Sequence, residues 1–303
     1  MPELPDVVVY IEALEKRIAG ERLERIRIAS PFLLRSFETP VEEAHGRRVA
    51  AIRRMGKRIA IELEGGVYVV IHLMIAGRFQ WKEAGAPIPK RLGLAAFDFQ
   101  NGTLLLTEAS KKRRASLHVV EGPRGLEPFR RGGIEPLEAT LESFREALEK
   151  ENHTLKRSLT DPRIFSGVGN AYSDEILHAA RLSPFKQTGR LEDGEIRRLH
   201  AATRGVLALW IRRLRAEAGD GFPANVTAFR AEMAVHGKHR KPCPECGTPI
   251  QRIVYAENES NYCPTCQTGG RLLADRALSR LLKRDWPKTV EELEERRGGS
   301  TDS

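Results

Sequence analysis

A secondary amine with a carboxylate beside it stands at the start of the chain, in Met1-Pro2-Glu3-Leu4-Pro5. An initiator methionine is normally removed before a small second residue, which makes Pro2 the expected N-terminus with Glu3 next to it. An α-amino group has a reference pKa near 8, about two units below lysine, so more of it is unprotonated at neutral pH. Such an amine can attack an aldehyde-like carbon without being deeply buried. Taken alone, the same residues also read as a frayed leader with two prolines.

A second constellation lies far along the chain. All four cysteines, Cys243, Cys246, Cys263 and Cys266, fall in the pattern C-x2-C, sixteen residues, C-x2-C. Four thiolates so spaced can close a tetrahedral zinc site across two knuckles. In a cytosolic chain two disulfides are the poorer explanation, and a redox dithiol does not fit two pairs outside a βαβ pattern. Residues 251–255, 256–261 and 262 read as strand, turn and returning strand. About 25 residues cannot bury enough apolar surface alone, so the metal supplies the folding energy.

Several smaller signals have two readings each. Gly167-Val168-Gly169-Asn170 is an interhelical turn, or a place where glycines and helix-start amides receive a phosphate. Lys57 is a solvated strand-end lysine or a phosphate ligand. His72 is a core histidine or a contact residue. The run Lys111-Lys112-Arg113-Arg114 is a solvated face or a phosphate-binding edge.

These residues need a scaffold. The chain has 303 residues, 30% charged and 41% hydrophobic, which is ordinary soluble composition and enough for two domains with an appendage. No apolar run approaches membrane-spanning length and the polar start is not a signal peptide, so the expected location is the cytosol, with no membrane partner. The formal charge of +9 and a pI near 9.6 favour a polyanion, most simply nucleic acid. Val8, Ile11, Leu14 and Ile18 mark a leading helix over 7–19, stopped by Gly20. Strands are predicted at 23–29, 48–53, 58–63, 67–73, 94–99, 103–107 and 116–120. Gly65-Gly66 and Asn101-Gly102 serve as hairpin turns. Helices follow around Leu141–Leu148, at Leu155 and Leu159, after Asn170 as a cap, and from Ile196 to Leu214. A loop of about fifteen residues opens at Gly219, another helix carries Leu272 to Leu282, and residues 297–303 read as disordered.

Together, Pro2-Glu3-Leu4-Pro5, Lys57, His72-Leu73, Gly167-Val168-Gly169-Asn170-Ala171-Tyr172 and the four cysteines resemble the formamidopyrimidine-DNA glycosylase and endonuclease VIII family over about residues 1–268. The resemblance implies an α+β multidomain fold. Residues 1–133 would form a β-sandwich with a leading helix, 134–235 a helix–two-turn–helix domain, 236–270 a zinc β-hairpin, and 271–303 a helical extension and tail. It implies a base-excision-repair glycosylase/AP lyase, monomeric, bacterial-type and nucleoid-associated through its DNA, with one structural zinc. The substrate would be double-stranded DNA with damaged bases or abasic sites. Pro2 would attack the sugar C1′ and form a Schiff base, Glu3 would act as general acid/base, and Lys57 would be the third catalytic residue, binding phosphate and assisting. DNA contacts would come from His72, Ile75, Arg113, Arg114, Lys156, Asn170, Tyr172 and Arg252.

The chain departs from the family pattern at several points. Asp6 replaces a frequent glutamate. His72-Leu73-Met74-Ile75-Ala76-Gly77 stands where His-Leu-Gly-Met-Ser-Gly is usual, with Ile75 in the wedge slot. Ala109–Ala115 lacks the usual wedge phenylalanine, Asn258 falls near the usual zinc-hairpin arginine, and the 219–235 loop is shorter than the 8-oxoguanine cover. A non-catalytic damaged-DNA or abasic-site binder of the same fold, and an RNA-binding zinc-ribbon protein, are the competing readings.

Overall fold

The computed structural model describes residues 1–110, 112–224, 226, 228–255, 258–274 and 287–298. The chain divides into two units, one of Met1–Gly133 with Leu207–Thr227, the other of Ile134–Val206 with Ala228–Ser303.

In the first unit, helix α1 (Leu4–Ile18) precedes strands β1 (Arg22–Ile28), β2 (Arg47–Met55), β3 (Arg58–Leu63), β4 (Val67–His72), β5 (Gly77–Lys82), β6 (Gly93–Phe99), β7 (Gly102–Glu108) and β8 (Ser116–Glu121), with a short α2 (Gly122–Leu126) after them. Eight strands run β5-β7-β6-β1-β2-β3-β4-β8, every pair antiparallel. β1 and β2 share only the pairs Arg22↔Arg48 and Leu23↔Arg47, so the sheet folds over at this seam. Ile59, Ile61, Val69, Ile71 and Leu117 from one half share a core with Phe79, Phe97, Leu104 and Leu106 from the other, which gives the expected sandwich. α1 adds Val7, Tyr10, Leu14 and Ile18 to the same core. β5 was not among the predicted strands. Its signal is alternation: Phe79 is buried and Trp81 partly so, between the more exposed Arg78, Gln80 and Lys82.

The second unit begins with α3 (Leu141–Glu149), α4 (Leu155–Thr160) and α5 (Asn170–Ala179). The long α6 (Asp193–Ala218) starts in this unit and ends in the first. β9 (Gln251–Tyr255) and β10 (Asn258–Tyr262) form the hairpin, followed by α7 (Pro264–Thr268) and α8 (Val290–Gly298). Most of the predicted helix from Leu272 to Leu282 lies outside the described residues, and Leu272–Ala274 is not helical. Of the tail expected to be disordered, Arg297 and Gly298 end α8 and the rest lies outside the described residues. Among the described residues no helix is long and apolar enough to cross a membrane.

Candidate active site and zinc centre

α1 begins one residue after Glu3, which brings two acids under the amine. Glu3 and Asp6 are 2% and 3% exposed. Asp6 Oδ2 accepts the Glu3 backbone N–H at 2.9 Å, one arm of a capping box that fixes the Glu3 main chain. Asp6 therefore acts on Glu3, and the shorter carboxylate suits this i,i+3 reach. Burial pushes the α-amine of Met1, the residue before Pro2, below its ordinary 8.0, Glu3 and Asp6 oppose that shift, and Arg78 and Lys57 reinforce it. Pro2 itself is buried. Arg78, at the second position of β5, escaped the sequence analysis together with its strand.

Lys57 occupies the turn between β2 and β3, beside Gly56 at φ 65°. His72 ends β4, opposite Arg58. Burial first, then the cations Arg58 and Lys57, push its pKa down to about 3, so it is neutral at working pH. The following turn is closed by Gly77 N donating to Leu73 O at 2.9 Å. A Cβ on Gly77 would meet that oxygen at 2.2 Å, so only glycine fits there. Met74 sits at φ 51°, a conformation costing an L-residue about 1–2 kcal/mol. The turn presents Ile75 53% exposed at its tip.

The basic loop after β7 is anchored by Glu108, 2% exposed, whose carboxylate accepts the amides of Arg114 and Ala115 at 3.0–3.1 Å. Arg113 is exposed and donates to Arg91 O at 3.0 Å.

In the second unit, Gly167 at φ 81° turns the chain into α5, and Gly169 is the N-cap. Asn170 was expected to cap this helix. It is instead the first helical residue, because Gly169 adopts the extended cap conformation. Tyr172 was expected at the DNA. It is 1% exposed, so its ring packs in the core and has no surface to offer a ligand.

Lys156 also differs from a simple phosphate ligand. Its ammonium donates to Asn170 O at 2.7 Å and to Asp174 Oδ1. Asp174 Oδ2 further bonds His236 Nδ1 at 2.8 Å and accepts from Asn261 Nδ2 at 3.2 Å. The neighbouring Glu175 accepts the backbone amides of Ala234, Val235 and His236 at 2.8–2.9 Å. One turn of α5 thus holds α4, the segment before the zinc knuckles, and β10. No sequence motif announced these acids, because their partners are remote in the chain. Arg252 lies on β9, half-exposed, 3.8 Å from Glu259.

The four sulfurs converge with all ligand atoms within 4.8 Å. Three pairs lie at 3.4, 3.5 and 3.9 Å. A tetrahedral ion with Zn–S near 2.3 Å places its sulfurs about 3.8 Å apart, so the donor set fits zinc. His178 Nε2 lies 3.3 Å from Cys243 Sγ. A zinc-bound thiolate only accepts, so this imidazole donates from Nε2 and braces the metal site against α5. Chelation is expected to strip the β9–β10 amides of hydrogen-exchange protection while α3 keeps its own. Zinc supplies about 10–16 kcal/mol in isolated finger peptides. Full protection after confirmed metal loss would mean that the hairpin folds without it.

Three family models match the chain in order. They are the formamidopyrimidine-DNA glycosylase N-terminal domain over residues 1–114, its H2TH domain over 133–217, and the zinc finger found in FPG and IleRS over 240–269. A formamidopyrimidine-DNA glycosylase from Thermus thermophilus is 34% identical over 280 residues, 89% of this chain and 100% of that protein. A Mycobacterium tuberculosis protein described as an uncharacterized formamidopyrimidine-DNA glycosylase-like protein is 39% identical over 151 residues, 50% of this chain and 94% of its own. Among solved structures, Lactococcus lactis Fpg in complex with abasic-site DNA superimposes with a TM-score of 0.77 at 27% identity, covering 88% of this chain and 99% of that one. The MutM (Fpg) protein of Thermus thermophilus gives 0.74 at 34%, covering 88% and 98%. The zinc-finger match and the sulfur geometry both fit one structural zinc on Cys243, Cys246, Cys263 and Cys266. With relatives aligned over their whole length and all three modules in sequence, the chain belongs to the formamidopyrimidine-DNA glycosylase family.

Proposed function

We propose that this chain is a DNA-repair glycosylase with AP lyase activity, acting on damaged bases and abasic sites in double-stranded DNA through the Pro2 amine. The observation that carries it is the buried start of the chain, where Pro2 and Glu3 are enclosed and Asp6 holds the Glu3 amide. The amine of Pro2, freed of Met1, attacks C1′ of the damaged nucleotide. The base leaves with the proton that the amine gives up, the C1′–O4′ bond then opens with a proton delivered to O4′, and the C–N bond becomes an iminium. Glu3 is the acid and base for these transfers. The iminium acidifies the C2′ hydrogen. Loss of that proton expels the 3′ phosphate by β-elimination, and a second loss expels the 5′ phosphate by δ-elimination. The target base must leave the stack to be reached, at a cost of a few kcal/mol that is lower for damaged bases.

Ile75 at its exposed turn is the apolar wedge for the vacated space, with Arg113 and Arg114 on the second loop. Asn170, whose side chain is not used as the helix cap, takes a phosphate, as do Lys57 and His72, the latter as a neutral donor. Arg252 is the hairpin's phosphate ligand. The favoured lesions are ring-opened purines, hydantoins and oxidised pyrimidines.

Borohydride added to the protein with an abasic duplex should leave a covalent protein–DNA adduct. Its absence would sink the lyase reading and favour a binding-only protein. Lys57→Ala is expected to lower strand cleavage by about 10–100-fold, the loss of one charged hydrogen bond, with an unchanged melting temperature. Equal cleavage would remove Lys57 from the site.

A further inference from the structure

β8 is an edge strand, and the stretch following β1 lies along it. Arg35 N donates to Leu117 O at 2.9 Å, and Ser36 Oγ accepts from Val119 N at 2.8 Å. Across β3, β4 and β8 the register aligns Arg58, His72 and Ser116, then Ala60, Val70 and His118. Paired residues share a face, as do residues two apart, so Arg58, His72 and His118 stand on the side opposite the Ile59–Ile71–Leu117 core row. Phe129, buried, forms the floor. The His118 ring meets it edge-on at 4.8 Å, and the Arg58 guanidinium lies 5.8 Å from its centroid.

Charge is unbalanced here. Among the described residues Arg35, Arg58 and Arg131 have no carboxylate partner, although the protein pairs arginines readily elsewhere, as in Arg27–Asp98 and Arg215–Glu12. Burial and Arg131 lower the Arg58 pKa, and burial, Arg58 and Arg35 lower that of His118. Cations gathered on a buried aromatic floor repel one another until an anion arrives.

We propose that Arg35, Arg58 and His118, over Phe129, form a subsite for one backbone phosphate of the DNA, additional to the phosphate served by Lys57. It rests on the DNA-binding reading above. Planar guanidinium forks match phosphate oxygens bidentately. The ring of Phe129 is covered, so it supports the cations and offers no face to a base.

The test is a scan of single methylphosphonate substitutions along a duplex carrying a stable abasic analogue. Wild-type affinity should drop about tenfold or more at one position outside the lesion pair. Arg58→Gln should bind more weakly by a similar factor, lose its sensitivity at that same position, and show a salt slope shallower by about 0.9. Arg35→Gln, an exposed side chain on a segment held through its backbone, should shift the slope the same way without touching the fold. Overturning results are an unchanged slope in Arg35→Gln, or an Arg58→Gln protein as sensitive as wild type at every position. An acidic protein segment as the true occupant would produce the same unchanged slopes. Borohydride trapping by the unaltered chain reports separately on the lyase, so the subsite can fail while that reading stands.

Discussion

Turning the Pro2 nitrogen into an amide, by a two-residue extension that is not removed, is expected to abolish borohydride trapping and strand cleavage at abasic sites. An amide nitrogen has no free electron pair to attack C1′. Pro2→Gly keeps an α-amino group but exchanges the secondary amine for a primary one, so it should retain part of the activity. Glu3→Gln, with the amine intact, should lower base excision by about 10²–10⁴-fold, the usual worth of a placed general acid or base. The pH dependence has a definite sign. Pro2 is buried and desolvation favours a neutral amine, so trapping should rise with pH and level off through a pKa below the ordinary 8.0. Full-strength trapping by the extended protein would transfer the nucleophile to a lysine. A rise that continues well above pH 8 would show that the amine is not desolvated.

Asp174→Ala is expected to destabilise the second unit by about 3–5 kcal/mol, the cost of leaving buried charge without its partner. Asp174 is fully buried, and the side chains of Lys156 and His236 are 13% and 3% exposed. The substitution strands both of them and also frees Asn261 on β10. Asp174→Asn keeps hydrogen bonds without the charge and should cost less. Lys156→Met combined with Asp174→Leu should recover part of the loss, because the pair is removed together. Urea melts followed by a probe in α5 measure this directly. A wild-type midpoint for Asp174→Ala would show that the network is not what holds the hairpin to the helix.

These two sites differ in how far they could be read from the chain. Pro2, Glu3 and the four cysteines are legible because their chemistry is local. A terminal amine needs only its neighbours to be suspect, and C-x2-C spacing is set by the ion radius and two tight knuckles. The two glycines at Gly65-Gly66 and the amphipathic stripe of α1 are legible for the same reason. Even locally some detail was hidden. Asp6 lies at capping spacing from Glu3, yet only the geometry shows it gripping the Glu3 amide. Strand β5 was lost in the turn before it, although Phe79 and Trp81 alternate as strand residues do.

Asp174 shows the limit. Its partners lie 18, 62, 86 and 87 residues away, at Lys156, His236, Ser260 and Asn261. Nothing local distinguishes it from any acid on a helix, and the same holds for Glu175, for His178 behind Cys243, and for Arg58 beside His118 and Phe129. Short-range rules of spacing, periodicity and metal geometry therefore determined from sequence alone the zinc ligands and most of the order of elements, and made Pro2 a candidate nucleophile. Which cations are already satisfied and which still face an unmet charge was decided only by the tertiary structure, because desolvation and pairing depend on residues brought together from distant parts of the chain.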